Sequence, residues 1–184
     1  IFSIVNGLML RTLSVADPER LVALSIGDDE ATRVDGMRWS YGFWQEMERR
    51  ADVFDGAITW SPARFDLSRG GESDPVGGLF VSGDFFAVLG VPALVGRTLT
   101  NADDSQGGGV DGPVAVISHR LWQSRFGGSP AAVGTPLVIQ GTAFTIVGVT
   151  EPRFTGLEVG QAFDVALPLT AESAIRGSQS FLNP

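Results

Sequence analysis

The sequence predicts a mixed α+β domain, and three observations carry that prediction. Residues 20–61 read as strand, helix, strand. The centre and second half are short apolar runs punctuated by turn residues, in a chain with 24 Gly and 10 Pro among its 184 residues. Two compact helical stretches in that half carry capping residues at their starts and Gly at their ends.

In order, "IFSIVNGLML" runs uncharged as far as Arg11. Such a run rises about 15 Å as a helix, against a hydrocarbon core of about 30 Å, so it cannot span a membrane by itself. It has neither the basic region nor the cleavage site of a signal peptide. Two readings stay open from composition: a buried helix, or the outer turns of a membrane helix.

Asp17-Pro18 signals a turn, because the residue before proline is pushed out of the helical region. "ERLVALSI" then reads as a buried strand and "GDDEATRVDGM" as a loop. In residues 40–54, Ser40 is placed to cap a helix. Phe43, Trp44, Met47, Ala51 and Phe54 fall at helical spacing, with Gln45, Glu46, Glu48, Arg49, Arg50 and Asp52 opposite. "GAITW" is expected as a strand, completing a β-α-β unit.

"ARFDLS" and "PVGGLFVS" are short strands around the turn-rich "RGGESD". "GDFFAVLG" is a short helix with Asp84 as N-cap and Gly90 as its stop, and "NADDSQGGGVDG" is a polar, flexible loop. "PVAVIS" is a strand. "HRLWQSRFGG" is a helix capped by Ser118 and stopped at Gly127, and Pro130 opens a single turn. A hairpin around Gln140-Gly141 and a last strand in "FDVALPL" complete the chain.

Composition excludes several functional classes. A net charge of −8 argues against nucleic acid, which needs a concentrated basic face. The chain has no Cys, so disulfides, thiol nucleophiles and cysteine metal sites are excluded. The single His, His119, excludes a multi-histidine metal site. All 13 cations are Arg, which removes Schiff-base and P-loop lysine chemistry.

The motifs that invite a chemical reading each have a plainer one. Gly107, Gly109 and Gly112 match G-x-G-x-x-G, but a loop precedes and a strand follows, the reverse of the order that aims a helix N-terminus at a pyrophosphate. Asp103, Asp104 and Asp111 lack the spacing and closing Glu of a calcium loop. Ser82 and Ser118 sit where strands enter helices without the flanking glycines of a nucleophile elbow, and helix capping accounts for Ser118 beside His119. Phe85, Phe86, Trp122 and Phe126 read as core. Glu46 and Glu48 with Arg49 and Arg50 read as a solvated helix face. No catalytic, cofactor-binding or metal residue is expected, and no enzyme activity.

The ordered segments "ADPERLVAL", "SYGFWQEMERRADVFDGAITW", "LFVSGDFFAVLGVPALVGRTLTNADD", "GPVAVISHRLWQSRFGGSPAAVGTPLVIQGTAFTIVGVTEPRFTG" and "FDVALPL" resemble the periplasmic core domain of MacB-like ABC transporter permeases, of the FtsX-like superfamily and acidobacterial type. The resemblance runs from about Asp17 to Leu169. One departure is Gln140, where relatives usually carry Asn.

The resemblance implies a two-lobed α+β domain: a porter-like lobe containing the β-α-β unit, and an inserted β-rich sabre-like lobe over 113–150. It implies that residues 1–14 are the outer end of a truncated first transmembrane helix emerging near Arg11. Residues 15–184 are then the core domain, with the second porter half expected to be missing. It further implies a non-catalytic extracytoplasmic domain at the bacterial inner membrane, facing the periplasm. That domain would couple cytoplasmic ATP hydrolysis to efflux or partner gripping, with a separate ABC ATPase subunit or domain and a permease dimer as partners. The segment Arg11–Glu19 is the expected mechanical coupler. The alternative is a membrane-anchored module binding lipoprotein, lipid or peptide without transport.

Overall fold

The structure is a computed structural model and describes residues 2–5, 14–26, 44, 46, 47, 54–157 and 160–177. The α+β class is the one the sequence predicts. Among the described residues the apolar runs become nine strands: β1 (Phe2–Val5), β2 (Ala23–Ile26), β3 (Trp60–Asp66), β4 (Pro75–Val81), β5 (Ala93–Gly96), β6 (Val114–Ile117), β7 (Pro136–Ile139), β8 (Thr142–Thr150) and β9 (Val165–Pro168). The helices whose bounds lie among the described residues are α1 (Phe85–Val88), α2 (His119–Phe126) and α3 (Glu172–Arg176).

Seven strands form one mixed sheet in the order β3-β4-β9-β6-β8-β5, with β7 also on β8. The β4–β9 and β6–β8 pairs are parallel and the others antiparallel. β8 is long enough to take three partners. Thr145 pairs with both Val114 of β6 and Pro136 of β7, and Val149 with both Ile117 of β6 and Val95 of β5. β7 and β5 therefore share the edge of β8 opposite β6. In this way residues 113–150 supply β6, α2, β7 and β8 to the common sheet.

The sheet has a core on each face, and the two-residue period of a strand divides the side chains between them. Ala115 and Ile117 of β6, Val165 and Leu167 of β9 and Phe80 of β4 lie in one cluster, covered by Leu121 and Trp122 of α2. Val114 and Val116, Ala166, Leu79 and Val81 lie in the other, covered by Phe85 and Phe86 of α1 with Phe154 and Phe163. A strand buried on both faces needs no polar residue, which is why "VAVI" is uninterrupted.

Local signals hold where they are chemically specific. Ser118 Oγ accepts the Leu121 N–H at 3.1 Å, capping α2, and Gly127 ends it at φ 59°. Ser129 caps the single turn Pro130–Ala132. Gln140 and Gly141 turn between β7 and β8 with φ of 47° and 83°, the left-handed pair of a two-residue hairpin.

Three expectations are corrected. Phe2–Val5, within the expected helical segment 1–14, is a strand, pairing Phe2 with Ile26 and Val5 with Ala23. Pairing with β2 supplies the backbone hydrogen bonds of this segment, and β-branched Ile4 and Val5 favour extension. "GAITW" is extended only at Trp60, where it joins "ARFD" in one edge strand, β3; Pro62 is tolerated because the sheet ends there. Trp44, Glu46 and Met47 are helical as expected, but β2 pairs with β1 and not with β3, and Phe54 is exposed. The Ser40 cap, the loop 27–37 and Glu48, Arg49 and Arg50 lie outside the described residues.

Candidate functional site

Each residue that invited a catalytic reading is committed to structure. Ser82 is buried and its Oγ accepts the Thr59 N–H at 3.2 Å. The Ser118 hydroxyl caps α2, while the His119 ring lies along the helix beside Trp122, at 5.5 Å between centroids, and near Gln123. Phe85 and Phe86 stack edge-on at 5.2 Å and meet Phe154, and Phe154 meets Phe163. Among the described residues, no group of three or more His, Asp or Glu side chains is placed to hold a metal ion.

The loop expected to be flexible is instead tied down by its own charges. Arg97 holds Asp103 through two bonds of 2.8 and 2.9 Å and Asp111 through a third of 2.7 Å. Asp103 also accepts the Thr100 N–H and hydroxyl, both at 2.8 Å. Burial works against the Asp103 charge, but the bonds from Arg97 and Thr100 outweigh it and hold its pKa below the ordinary range. Gly109 and Gly112 close a tight turn that leaves Val110 fully exposed at its tip.

An open cleft of about 840 Å³ lies between the β3–β4 hairpin, α2 and the segment before β9. Trp60, Arg64, Gly77, Arg120, Arg125 and Gln161 line it. Its charges are largely compensated: Arg120 grips Asp164, and Arg125 pairs with Asp74. Asp164 is the organising residue, because its Oδ2 also accepts the Gly77 N–H at 3.0 Å. At the far end of the hairpin, Asp66 accepts the Asp74 and Ser68 N–H groups and the Ser73 hydroxyl. Those bonds, the backbone ones foremost, bring its pKa down to about 2.

A further built feature is the N-terminal connector, Ser14–Leu21. Ala16 N–H donates to Leu89 O at 3.0 Å, and Val15 and Leu21 pack on the cluster containing Phe85, Phe86 and Leu89. Arg20 pairs with Asp55 across the surface. A Cβ on Gly90 would stand 2.4 Å from the Ala16 Cβ, so glycine at the α1 stop lets the connector lie flat against the domain. Asp164, Arg97 and Asp66 were invisible as organisers in the sequence: each works through partners distant in the chain or through backbone amides.

The MacB-like periplasmic core domain family matches residues 1–182. The chain belongs to that family. Among solved structures, the MacB-like domain is similar to the extracellular domain of the noncanonic ABC-type transporter YknZ from Gram-positive bacteria. The identity is 14% and the TM-score 0.58, over 83% of this chain and 74% of that one. It is also similar to the periplasmic region of MacB from Actinobacillus actinomycetemcomitans, at 16% identity and TM-score 0.55, covering 82% of this chain and 66% of that one. The chain thus spans just under two thirds of the second structure. At these identities the likeness is one of fold. No curated protein matches the chain. No helix among the described residues is long and apolar enough to cross a membrane.

Proposed function

We propose that the domain is the non-catalytic extracytoplasmic part of an ABC transporter permease in a bacterial inner membrane, facing the periplasm. Nucleotide hydrolysis by a separate ATPase subunit or domain moves the membrane helices, and the domain turns that motion into efflux or the gripping of a partner, in a permease dimer. Family membership supplies the setting, and one observation supports the mechanical role. The connector is fastened to the C-terminal end of α1 by a backbone hydrogen bond and to the apolar cluster beneath it by two apolar anchors, Val15 and Leu21. Packed interiors move as units, so a connector fixed in this way carries displacement into the sheet where a slack linker would absorb it.

The test uses the complete permease with its ATPase. Spin labels on exposed domain positions of the two protomers report their separation with and without nucleotide. The reading expects a distance distribution that shifts on nucleotide binding. Identical distributions in both states would sink it and leave the domain a passive module.

A further inference from the structure

At the outer edge of β3, open backbone groups, two depressions and an uncompensated charge come together. Two hydrogen bonds fix which backbone groups face outward. Ser82 N–H donates to Thr59 O just before β3, and Leu67 N–H to Asp74 O just after it, each at 3.0 Å. In the register between them, Trp60↔Val81 to Asp66↔Pro75, bonded and non-bonded pairs alternate. Ser61, Ala63 and Phe65 therefore turn their backbone groups to β4, while Trp60, Pro62, Arg64 and Asp66 turn theirs away from the sheet. Asp66 O accepts the Gln140 N–H at 2.8 Å, which closes that end. Pro62 brings no N–H, but its carbonyl and both backbone groups of Arg64 stay open among the described residues, and both residues are exposed.

Ala63 and Arg64 line both the cleft described above and a second depression of about 490 Å³, bounded by Phe65, Phe80, Gln140, Ile175 and Arg176. In the cleft Arg120 pairs with Asp164 and Arg125 with Asp74, and beside the depression Arg176 pairs with Glu172. Arg64 has no such partner among the described residues. Gly77 stands opposite it in β4, so no cross-strand side chain shields it. The two-residue period puts Arg64 on the face of Trp60, and Ala63 and Phe65 on the other.

We propose that the β3 edge binds a short extended segment of another polypeptide, antiparallel to residues 60–64, with an acidic residue opposite Arg64 and an apolar residue on either side of it. The acidic residue exchanges both backbone bonds with Arg64, and its carboxylate meets the guanidinium in a charge-assisted pair. Its two neighbours, opposite Ala63 and Phe65, turn their side chains to the depression beside Phe80 and Ile175. The residue two positions later gives its N–H to Pro62 O. Proline makes the edge a poor template for indiscriminate pairing, so charge and register select the partner. The edge belongs to the fold, and the inference holds whether or not the domain transmits motion.

The test is an amide NMR titration of the whole chain with the peptide acetyl-Ser-Val-Glu-Val-Ser-amide. The Arg64 amide proton should move downfield as it gains an acceptor. Lysine in place of the glutamate should weaken binding about tenfold, and Arg64→Glu should reverse that preference. A variant that gains the lysine peptide has kept its fold. N-methylation of the glutamate, whose N–H donates to Arg64 O, should also cost about tenfold. N-methylation of the valine before it, whose N–H points away from β3, should leave binding unchanged. No movement of the Arg64 amide at about 1 mM peptide, equal affinity for the glutamate and lysine peptides, or a preference unchanged by Arg64→Glu overturns the proposal. So does N-acetylglutamate amide binding as tightly as the peptide, which makes this a site for small carboxylates. An Arg64 amide that moves with the chain's own concentration and not with peptide gives the edge to a second copy, and overturns it as well.

Discussion

Replacing Asp164 with Ala removes the side chain that joins the β3–β4 hairpin, α2 and the start of β9. Its Oδ2 accepts the Gly77 N–H at 3.0 Å, and Arg120 Nη2 lies 2.7 and 2.8 Å from its two oxygens. The backbone bonds survive the change: Asp164 N–H to Gly77 O at 2.7 Å, and Ser118 N–H to Asp164 O at 2.8 Å. Only side-chain contributions are therefore lost. The Asp164 side chain is 10% exposed and that of Arg120 65%, so solvent already screens the arginine, and its pairing is worth about 0.5–1 kcal/mol. The Gly77 N–H loses its acceptor in a confined place, at a cost of about 1–2 kcal/mol.

Together these come to about 2 kcal/mol, or a fall of roughly 4–8 °C in Tm for a domain of this size. Urea unfolding at pH 7, followed by fluorescence of the tryptophans, measures it. Arg120→Ala should cost about 1 kcal/mol less, since Gly77 keeps its acceptor there. The double variant should cost less than the sum of the two single changes, because both remove one interaction. If Arg120→Ala proves as costly as Asp164→Ala, or if Asp164→Ala lies within about 0.5 kcal/mol of wild type, the clasp as described is refuted.

Other expectations follow from single residues. Ser118→Ala should destabilise the domain by about 1 kcal/mol through the lost α2 cap, seen as a lower urea midpoint with unchanged far-ultraviolet circular dichroism at low denaturant. Gln140→Asn should raise stability by about 0.5 kcal/mol, because asparagine tolerates the left-handed conformation that Gln140 holds at φ 47°; an unchanged or lower midpoint contradicts this. Asp66 has a folded pKa of about 2, below its unfolded value. Its contribution is therefore present above about pH 4 and lost as pH falls toward 2, so Asp66→Asn should flatten the acid limb of the stability profile in that window. An acid limb as steep as that of wild type would show that the hairpin loop does not depend on the charge.

The sequence by itself determined the class of fold, the family and most of the elements that rest on short-range chemistry. The α2 cap at Ser118, its stop at Gly127, the Gln140-Gly141 turn and the doubly buried "VAVI" strand are all written in neighbouring residues. A side-chain oxygen three positions from an amide, or a glycine at positive φ, needs no distant partner. Strand partnership does, and there the reading of residues 20–61 as a closed β-α-β unit missed that β2 pairs with β1.

Tertiary structure also decided what the charged residues do. Asp103 and Asp111 could be read as a solvated acidic loop until Arg97 was placed between them. Asp164 acquires its role only when Gly77, 87 positions away, is brought beside it. Asp84 reads as an ordinary helix cap, yet it makes no capping bond and its Oδ1 is shielded and without a partner. Capping and turn preferences act over a few bonds and are visible along the chain. Ion pairing and desolvation depend on which surfaces the sheet closes together, and that is a property of the folded whole.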